Sequence, residues 1–235
     1  MCWSGEASAV LATSGLATTA YLAVKGEKKE LYLALGYFSL MELLQAITYT
    51  VINECENPLN QIYTLLGYLH IVFQPFFVNM VSQHFIPQDV AKKIGPFVYT
   101  LCFISSILML VKLYPFTWAG SCSVATEPMC GTTLCSLAGN WHMAWDLPLN
   151  DMPMTIVIYC LACFLLPLIY GSWRVTIGHV FSGPAIAILL NTQKNEWPAV
   201  WCLLSIGLIL MVIKTPLRKR LYVKSWPLWN LFKIS

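Results

Sequence analysis

Apolar residues in this chain fall in long runs broken by short polar clusters. Within the runs they follow neither the alternation of a half-buried strand nor the single stripe of a soluble helix. Crossing the hydrocarbon of a bilayer takes a helix of about 20 mostly apolar residues. Seven stretches approach that length with few charges: 7–24, 31–52, 59–81, 94–114, 153–171, 174–191 and 197–214. They are too long and too uniformly apolar for the alternating strands of a membrane barrel. The pattern predicts an all-α, polytopic seven-transmembrane helix bundle, with residues 1–235 forming a single integral membrane domain. The first stretch, ASAVLATSGLATTAYLAV, is rich in small and hydroxylated residues and has no basic segment before it. We read it as a retained helix packed closely on its neighbours rather than as a signal peptide.

Two connections are more than turns. The longest, 115–152, ends in GNWHMAWDLP (residues 139–148), which holds two tryptophans, a histidine and an aspartate. If 139–146 is helical, His142 and Asp146 share one face, and Trp141 and Trp145 an adjacent one suited to the headgroup region. This external connection is expected to form an interfacial helix or to fold over the end of the bundle as a lid. The segment 215–235 joins a basic run, Arg218, Lys219 and Arg220, to Trp226, Trp229 and Phe232. Such a tail can anchor at a lipid surface.

Charge sets the orientation. Only 11% of residues are charged and 57% are hydrophobic, which excludes an ordinary soluble domain. With seven spans, Lys25, Lys28, Lys29, Lys92, Lys93, Arg174, Lys214, Arg218, Lys219, Arg220, Lys224 and Lys233 fall on one side, and Lys112 and Lys194 on the other. The positive-inside rule then puts the amino terminus outside and the carboxyl terminus in the cytoplasm, in a multi-pass protein of a plasma or inner membrane. The basic run is short, sits against a membrane and has no recognition module around it, so no nucleic-acid partner is expected. The partners expected are the lipid bilayer, a small solute or cofactor, and further subunits of an oligomer or membrane complex.

Of nine cysteines, Cys102, Cys160, Cys163 and Cys202 lie in the apolar stretches, where a thiol serves as a small apolar side chain. Cys2, Cys55, Cys122, Cys130 and Cys135 fall on the external side, where one or two disulfides are expected. The spacing does not give their pairing, and it does not match a compact zinc knuckle.

Candidate chemistry lies at membrane depth. Glu42 and Gln45 are one turn apart in YFSLMELLQAITY, and His70 and Gln74 stand at i and i+4 in YTLLGYLHIVFQPFF. His179 precedes Ser182, Gly183 and Pro184 in VTIGHVFSGPAIAI. An ionisable side chain in hydrocarbon must be paired, hydrated or turned into the bundle. Glu42 is the one carboxylate in the middle of a span, at a depth that matches His70 and His179. We therefore expect a central solute- or cofactor-binding cluster of Glu42, Gln45, His70, Gln74 and His179. Within it, Glu42 should lie in hydrogen-bond reach of His70, Gln74 or His179. Two imidazoles and a carboxylate also make a metal set, Glu42, His70 and His179, with Cys2 and His142 as weaker candidates. Two facing histidines could ligate a haem, so a transition metal and haem are the cofactors such a set would take. Pro75, Pro167 and Pro184 interrupt the stretches, and a broken helix beside a polar group can form a binding site or a hinge.

The opening MCWSGEAS, together with GYFSLMELLQAI, resembles a group of small multi-span membrane proteins of unknown function whose chains begin Met-Cys-Phe/Trp-Ser. The resemblance engages Met1, Cys2, Trp3, Ser4, Ala7, Ser8, Glu42 and Gln45, and it implies no activity. The late stretches carry no His-x-x-x-His pair, and no nucleophile elbow is present. The residues favour an integral membrane protein that binds or translocates a small solute, cofactor or cation through the Glu/His/Gln cluster. A metal-dependent membrane enzyme with His and Glu ligands is the alternative, and a structural subunit of a membrane assembly the third reading.

Overall fold

Local caps set the helix boundaries in the computed structural model, which describes residues 3–213 and 216–231. The first helix, α1 (Gly5–Val24), starts at Ser4, whose side chain accepts from the amide of Ala7. It closes at Gly26 (φ 70°), where the amides of Gly26 and Glu27 reach back to the carbonyls of Ala23 and Leu22. That left-handed close suits a residue without a Cβ. α2 (Lys29–Thr48) runs into a 3-10 turn (Tyr49–Val51). α3 (Pro58–His84) is capped by Asn57, with Pro58 at its first position, where no amide proton is needed. α4 (Gln88–Val111) leads through a long connection to strands β1 (Cys135–Ala138) and β2 (Met143–Asp146). α5 (Thr155–Cys160) continues through a π-helical segment (Leu161–Leu165) into α6 (Leu166–Ile169). α7 (Trp173–Ser182) breaks at Gly183 before α8 (Pro184–Leu190), and a 3-10 turn (Lys194–Glu196) precedes α9 (Trp197–Ile213). Two short helices, α10 (Leu217–Leu221) and α11 (Pro227–Leu231), follow.

The molecule is a predominantly helical, integral multi-pass bundle. Among the described residues, 5 stretches have the length and hydropathy of a membrane span: Gly5–Val24, Lys29–Val51, Pro58–His84, Gln88–Val111 and Trp173–Leu190. The stretch expected at 153–171 is the shorter Thr155–Ile169, and that at 197–214 is the 17-residue α9. Cys2, Lys214, Phe232 and Lys233 lie outside the described residues. The small residues of α1 allow the expected close packing. A Cβ on Gly15 would fall 2.1 Å from the hydroxyl of Ser39 on α2.

The break ahead of Pro167 is absorbed by a side chain of the bundle. Asn79 of α3 donates to the carbonyl of Pro75 (2.8 Å) and to that of Ala162 (2.9 Å), inside the π segment that precedes Pro167. A π turn leaves a carbonyl without its usual partner, and a buried carbonyl must find another.

The two ends of the bundle differ in chemistry. At one, Arg218 bonds both carboxylate oxygens of Glu27 (2.9 Å each) and reaches the ring of His84 (3.2 Å). Arg174 bonds the carbonyl of Arg220, and the amide of Val223 that of Phe85. The tail tryptophans cap a helix. Trp226 and Trp229 donate their indole protons to the carbonyls of Ile169 and Tyr170 at 2.9 Å, and Trp229 is buried. The last carbonyls of α6 have no partner within the helix, which is the physical reason for the cap.

Candidate functional site

The opposite end is covered by the β-hairpin. The helix expected over 139–146 is absent, and with it the shared face of His142 and Asp146. Instead β1 and β2 pair antiparallel, with Ser136 opposite Trp145 and Ala138 opposite Met143. Partners elsewhere in the chain select this form. Asn60 of α3 accepts from the amide of Ser136 (2.9 Å) and donates to its carbonyl (3.0 Å), as a neighbouring strand would. Trp145 is buried in the central apolar cluster with Met41, Tyr68 and Tyr159. Asp146 accepts from Asn195 (2.6 Å), whose amide group also donates to the carbonyl of Cys130 (3.0 Å).

Glu196 holds the hairpin turn. Its carboxylate accepts from the backbone amides of Asn140 (2.6 Å), Trp141 (2.8 Å) and His142 (2.9 Å), and the residue is fully buried. Such a cradle of successive amides binds anions without any cationic side chain. Only glycine leaves room for it, since a Cβ on Gly139 would fall 2.2 Å from the carboxyl carbon of Glu196.

His142, at the end of this turn, has a defined proton arrangement. Its Nδ1 accepts from the amide of Met143 (2.8 Å) and lies 3.0 Å from the hydroxyl of Tyr49. Burial pushes the ring's pKa down to about 3, so it is neutral at ordinary pH. With Nδ1 acting as acceptor, the single ring proton sits on Nε2. That atom is buried and has no hydrogen-bond partner. His142 therefore presents a donor to the interior. In this arrangement neither nitrogen offers a free lone pair.

Glu42 and Gln45 lie beyond it on α2. Both are buried, and Tyr49 continues the same helical face one turn after Gln45. Neither carboxylate oxygen of Glu42 and neither amide atom of Gln45 completes a hydrogen bond. Ser8 of α1 stands beside the Glu42 carboxyl. Its oxygen accepts from the indole of Trp3 (2.7 Å), which leaves its own proton to offer. Trp3 in turn bonds the carbonyl of Trp141 through its amide (2.9 Å), and its ring lies 5.9 Å from that of His142. The two stretches that carry the resemblance thus meet in space, under the hairpin.

The other expected members of the cluster have partners of their own. Among the described residues no hydrogen bond joins Glu42 to His70, Gln74 or His179. His70 stacks on Tyr37 with ring centres 3.7 Å apart, and its Nε2 is buried without a partner. Gln74 accepts from Tyr159 (3.1 Å), while its amide nitrogen is unpartnered. His179 accepts at Nε2 from the indole of Trp201 (2.8 Å), so this nitrogen is already used. Among the described residues Glu42, His70 and His179 do not form a group that could hold a metal ion.

Acidic and sulfur ligands come together in the long connection instead. Ligand atoms of Cys122, Glu127 and Cys130 lie within 4.8 Å of one another, a grouping that could hold a metal ion. The expected disulfides pair Cys55 with Cys135 and Cys122 with Cys130. A cation at Glu127 would need the second of these reduced, because the thiolate is the ligand. Glu127 is also ion-paired with Lys112, whose side chain is fully buried.

Tyr49 was legible in the sequence, as it extends the face of Glu42 and Gln45. Glu196, and the roles of Trp3 and Ser8 that the resemblance only singled out, were not, because their partners come from other elements. A family model described as a family of unknown function (DUF5765) matches residues 6–222, and the chain belongs to that family. No curated protein and no solved structure matches it.

Proposed function

We propose that this member of the family binds a small cation, or a small solute with a cationic group, at Glu42 beneath the hairpin. One observation carries the reading. Five polar atoms are buried without partners in this region: both oxygens of Glu42, both amide atoms of Gln45 and Nε2 of His142. An isolated buried polar group costs roughly 1–3 kcal/mol, and a charged one more, so a region holding several is a place for a polar occupant. Glu42 supplies the negative charge, the Gln45 carbonyl oxygen a second acceptor, and His142 a donor for an oxygen or a water carried with the cation. In this reading the hairpin is the lid, tied to Trp3 and held by Glu196.

Movement of the ion across the bundle would use His70 on α3, whose Nε2 is also buried and unpartnered and can accept when the ring proton is on Nδ1. The seven-span topology with an external hairpin belongs to the same proposal. It is supported by the basic residues that gather at the Glu27–Arg218 end.

Purified protein should gain thermal stability with one of sodium, potassium, magnesium or calcium ions, tested singly. Glu42→Gln should lose that gain while remaining folded with both disulfides formed. If no cation stabilises the native protein and Glu42→Gln is the more stable of the two, Glu42 is only a buried structural charge, and the proposal fails.

A further inference from the structure

Hydrogen bonds hold Cys122 and Cys130 close together independently of the disulfide that joins them. The amide of Cys122 donates to the carbonyl of Leu149 (3.0 Å), and that of Gly131 to the carbonyl of Leu147 (2.9 Å). Asn195 adds a bond from its side-chain amide to the carbonyl of Cys130 (3.0 Å). Both cysteines are thus fixed against one extended segment, residues 147–150. Between them the chain makes a turn, in which the amides of Thr126 and Glu127 return to the carbonyl of Ser123 (3.0 and 2.9 Å). That turn carries the Glu127 carboxylate back to the sulfurs, with its Oε2 4.0 Å from Sγ of Cys130.

Two sulfurs and one carboxylate oxygen within 4.8 Å of one another suit a thiophilic divalent ion such as zinc, with a fourth position left for water. Calcium and magnesium take oxygen ligands, so the sulfurs select against them. The sulfurs become ligands only as thiolates, after the Cys122–Cys130 bond is reduced. A dithiol reductant supplies two electrons and two protons, becoming a disulfide itself while both cysteines become thiols. The ion then displaces those two protons as it binds. Charge balances in the product. Two thiolates and Glu127 bring three negative charges, and the ion and buried Lys112, already paired with Glu127, bring three positive ones. The Glu127 side chain (17% exposed) and half-buried Cys122 leave a way in from solvent.

We infer that Cys122, Glu127 and Cys130 form a zinc-binding site in the reduced protein, which the disulfide closes on oxidation. The site stands apart from the cation site proposed at Glu42, which contains no thiolate. The bound ion takes over the link between Cys122 and Cys130, so this part of the long connection stays pinned to residues 147–150 in either redox state.

The full chain in mild detergent, reduced with a phosphine under nitrogen and then freed of it, tests this with zinc chloride as the probe. Reduced native protein should bind one zinc ion per chain by elemental analysis, and oxidised protein none. Zinc should block the labelling of Cys122 and Cys130 by iodoacetamide, read by peptide mapping, and leave the labelling of Cys55 and Cys135 unaltered. Cys122→Ser should lose the bound ion. Glu42→Gln should retain it, so a failure at Glu42 and a failure here are told apart. Equal zinc binding by oxidised and reduced protein, unchanged labelling of Cys122 and Cys130, or full zinc retention by Cys122→Ser overturns the inference.

Discussion

Glutamine at position 196 would keep the size of the side chain and remove its charge. In the native site Oε1 accepts one backbone amide, at 2.6 Å, and Oε2 accepts two, at 2.8 and 2.9 Å. A glutamine has a single carbonyl oxygen, so at best two of the three amides keep an acceptor. Its NH₂ group is forced against the third, donor facing donor, in a site with no access to water. An abandoned buried amide costs about 1–3 kcal/mol, and each surviving bond loses roughly 1 kcal/mol when its acceptor is no longer charged. The sum is about 4 kcal/mol. For a chain of this length that corresponds to a fall of roughly 8–16 °C in unfolding temperature. Thermal unfolding followed by tryptophan fluorescence, without reductant, measures it. Limited proteolysis should cut Glu196→Gln within 115–152 under conditions that spare the native protein. Gly139→Ala should act in the same direction, because its Cβ would meet the Glu196 carboxyl at 2.2 Å and the His142 carbonyl at 2.5 Å. Glu54→Gln, an exposed control, should change little. An unfolding temperature within about 2 °C of native for Glu196→Gln, with unchanged proteolysis, would refute the assignment of Glu196 as the anchor of the turn.

Two further outcomes follow from the same end of the molecule. Burial lowers the pKa of His142 from 6.5 to about 3, so between those values the unfolded chain binds the extra proton. Stability is then complete above pH 6.5 and declines as pH falls towards 3, by up to about 1.4 kcal/mol per pH unit, and His142→Gln should flatten that decline in unfolding temperature. In the Lys112–Glu127 pair the lysine side chain is 0% exposed and the glutamate side chain 17% exposed. Glu127→Gln, which strands a buried ammonium, should cost about 3–5 kcal/mol, and Lys112→Met less, since the carboxylate can still reach water; calorimetric unfolding of both variants gives the order.

The long helices were readable because a bilayer imposes a length and a composition that a single segment carries by itself. Their ends were readable where caps are local, as at Ser4, Gly26 and the Asn57–Pro58 pair. The inward face of Glu42 followed from the cost of a charge in hydrocarbon, and helical spacing put Gln45 on the same face. The fate of His179 did not: it is decided by Trp201, on a helix that meets it only after folding. GNWHMAWDLP was misread for a related reason. Its spacing is compatible with a helix, and the hairpin is chosen by Asn60, Glu196 and the Cys55–Cys135 disulfide, all distant in the chain.

From the sequence alone came a helical membrane bundle, a cysteine-bearing end set against a basic one, and a buried carboxylate in need of company. Each rests on composition or on period, properties of one segment and its solvent. The tertiary structure decided what stands beside that carboxylate: Ser8 from the start of the chain, which Trp3 bonds in turn. It also gave His70 the ring of Tyr37 and His179 the indole of Trp201 as neighbours. Depth in a membrane can be counted along one helix, but the direction a side chain faces across a bundle depends on how several helices are rotated against one another. That rotation is set by packing at many contacts together.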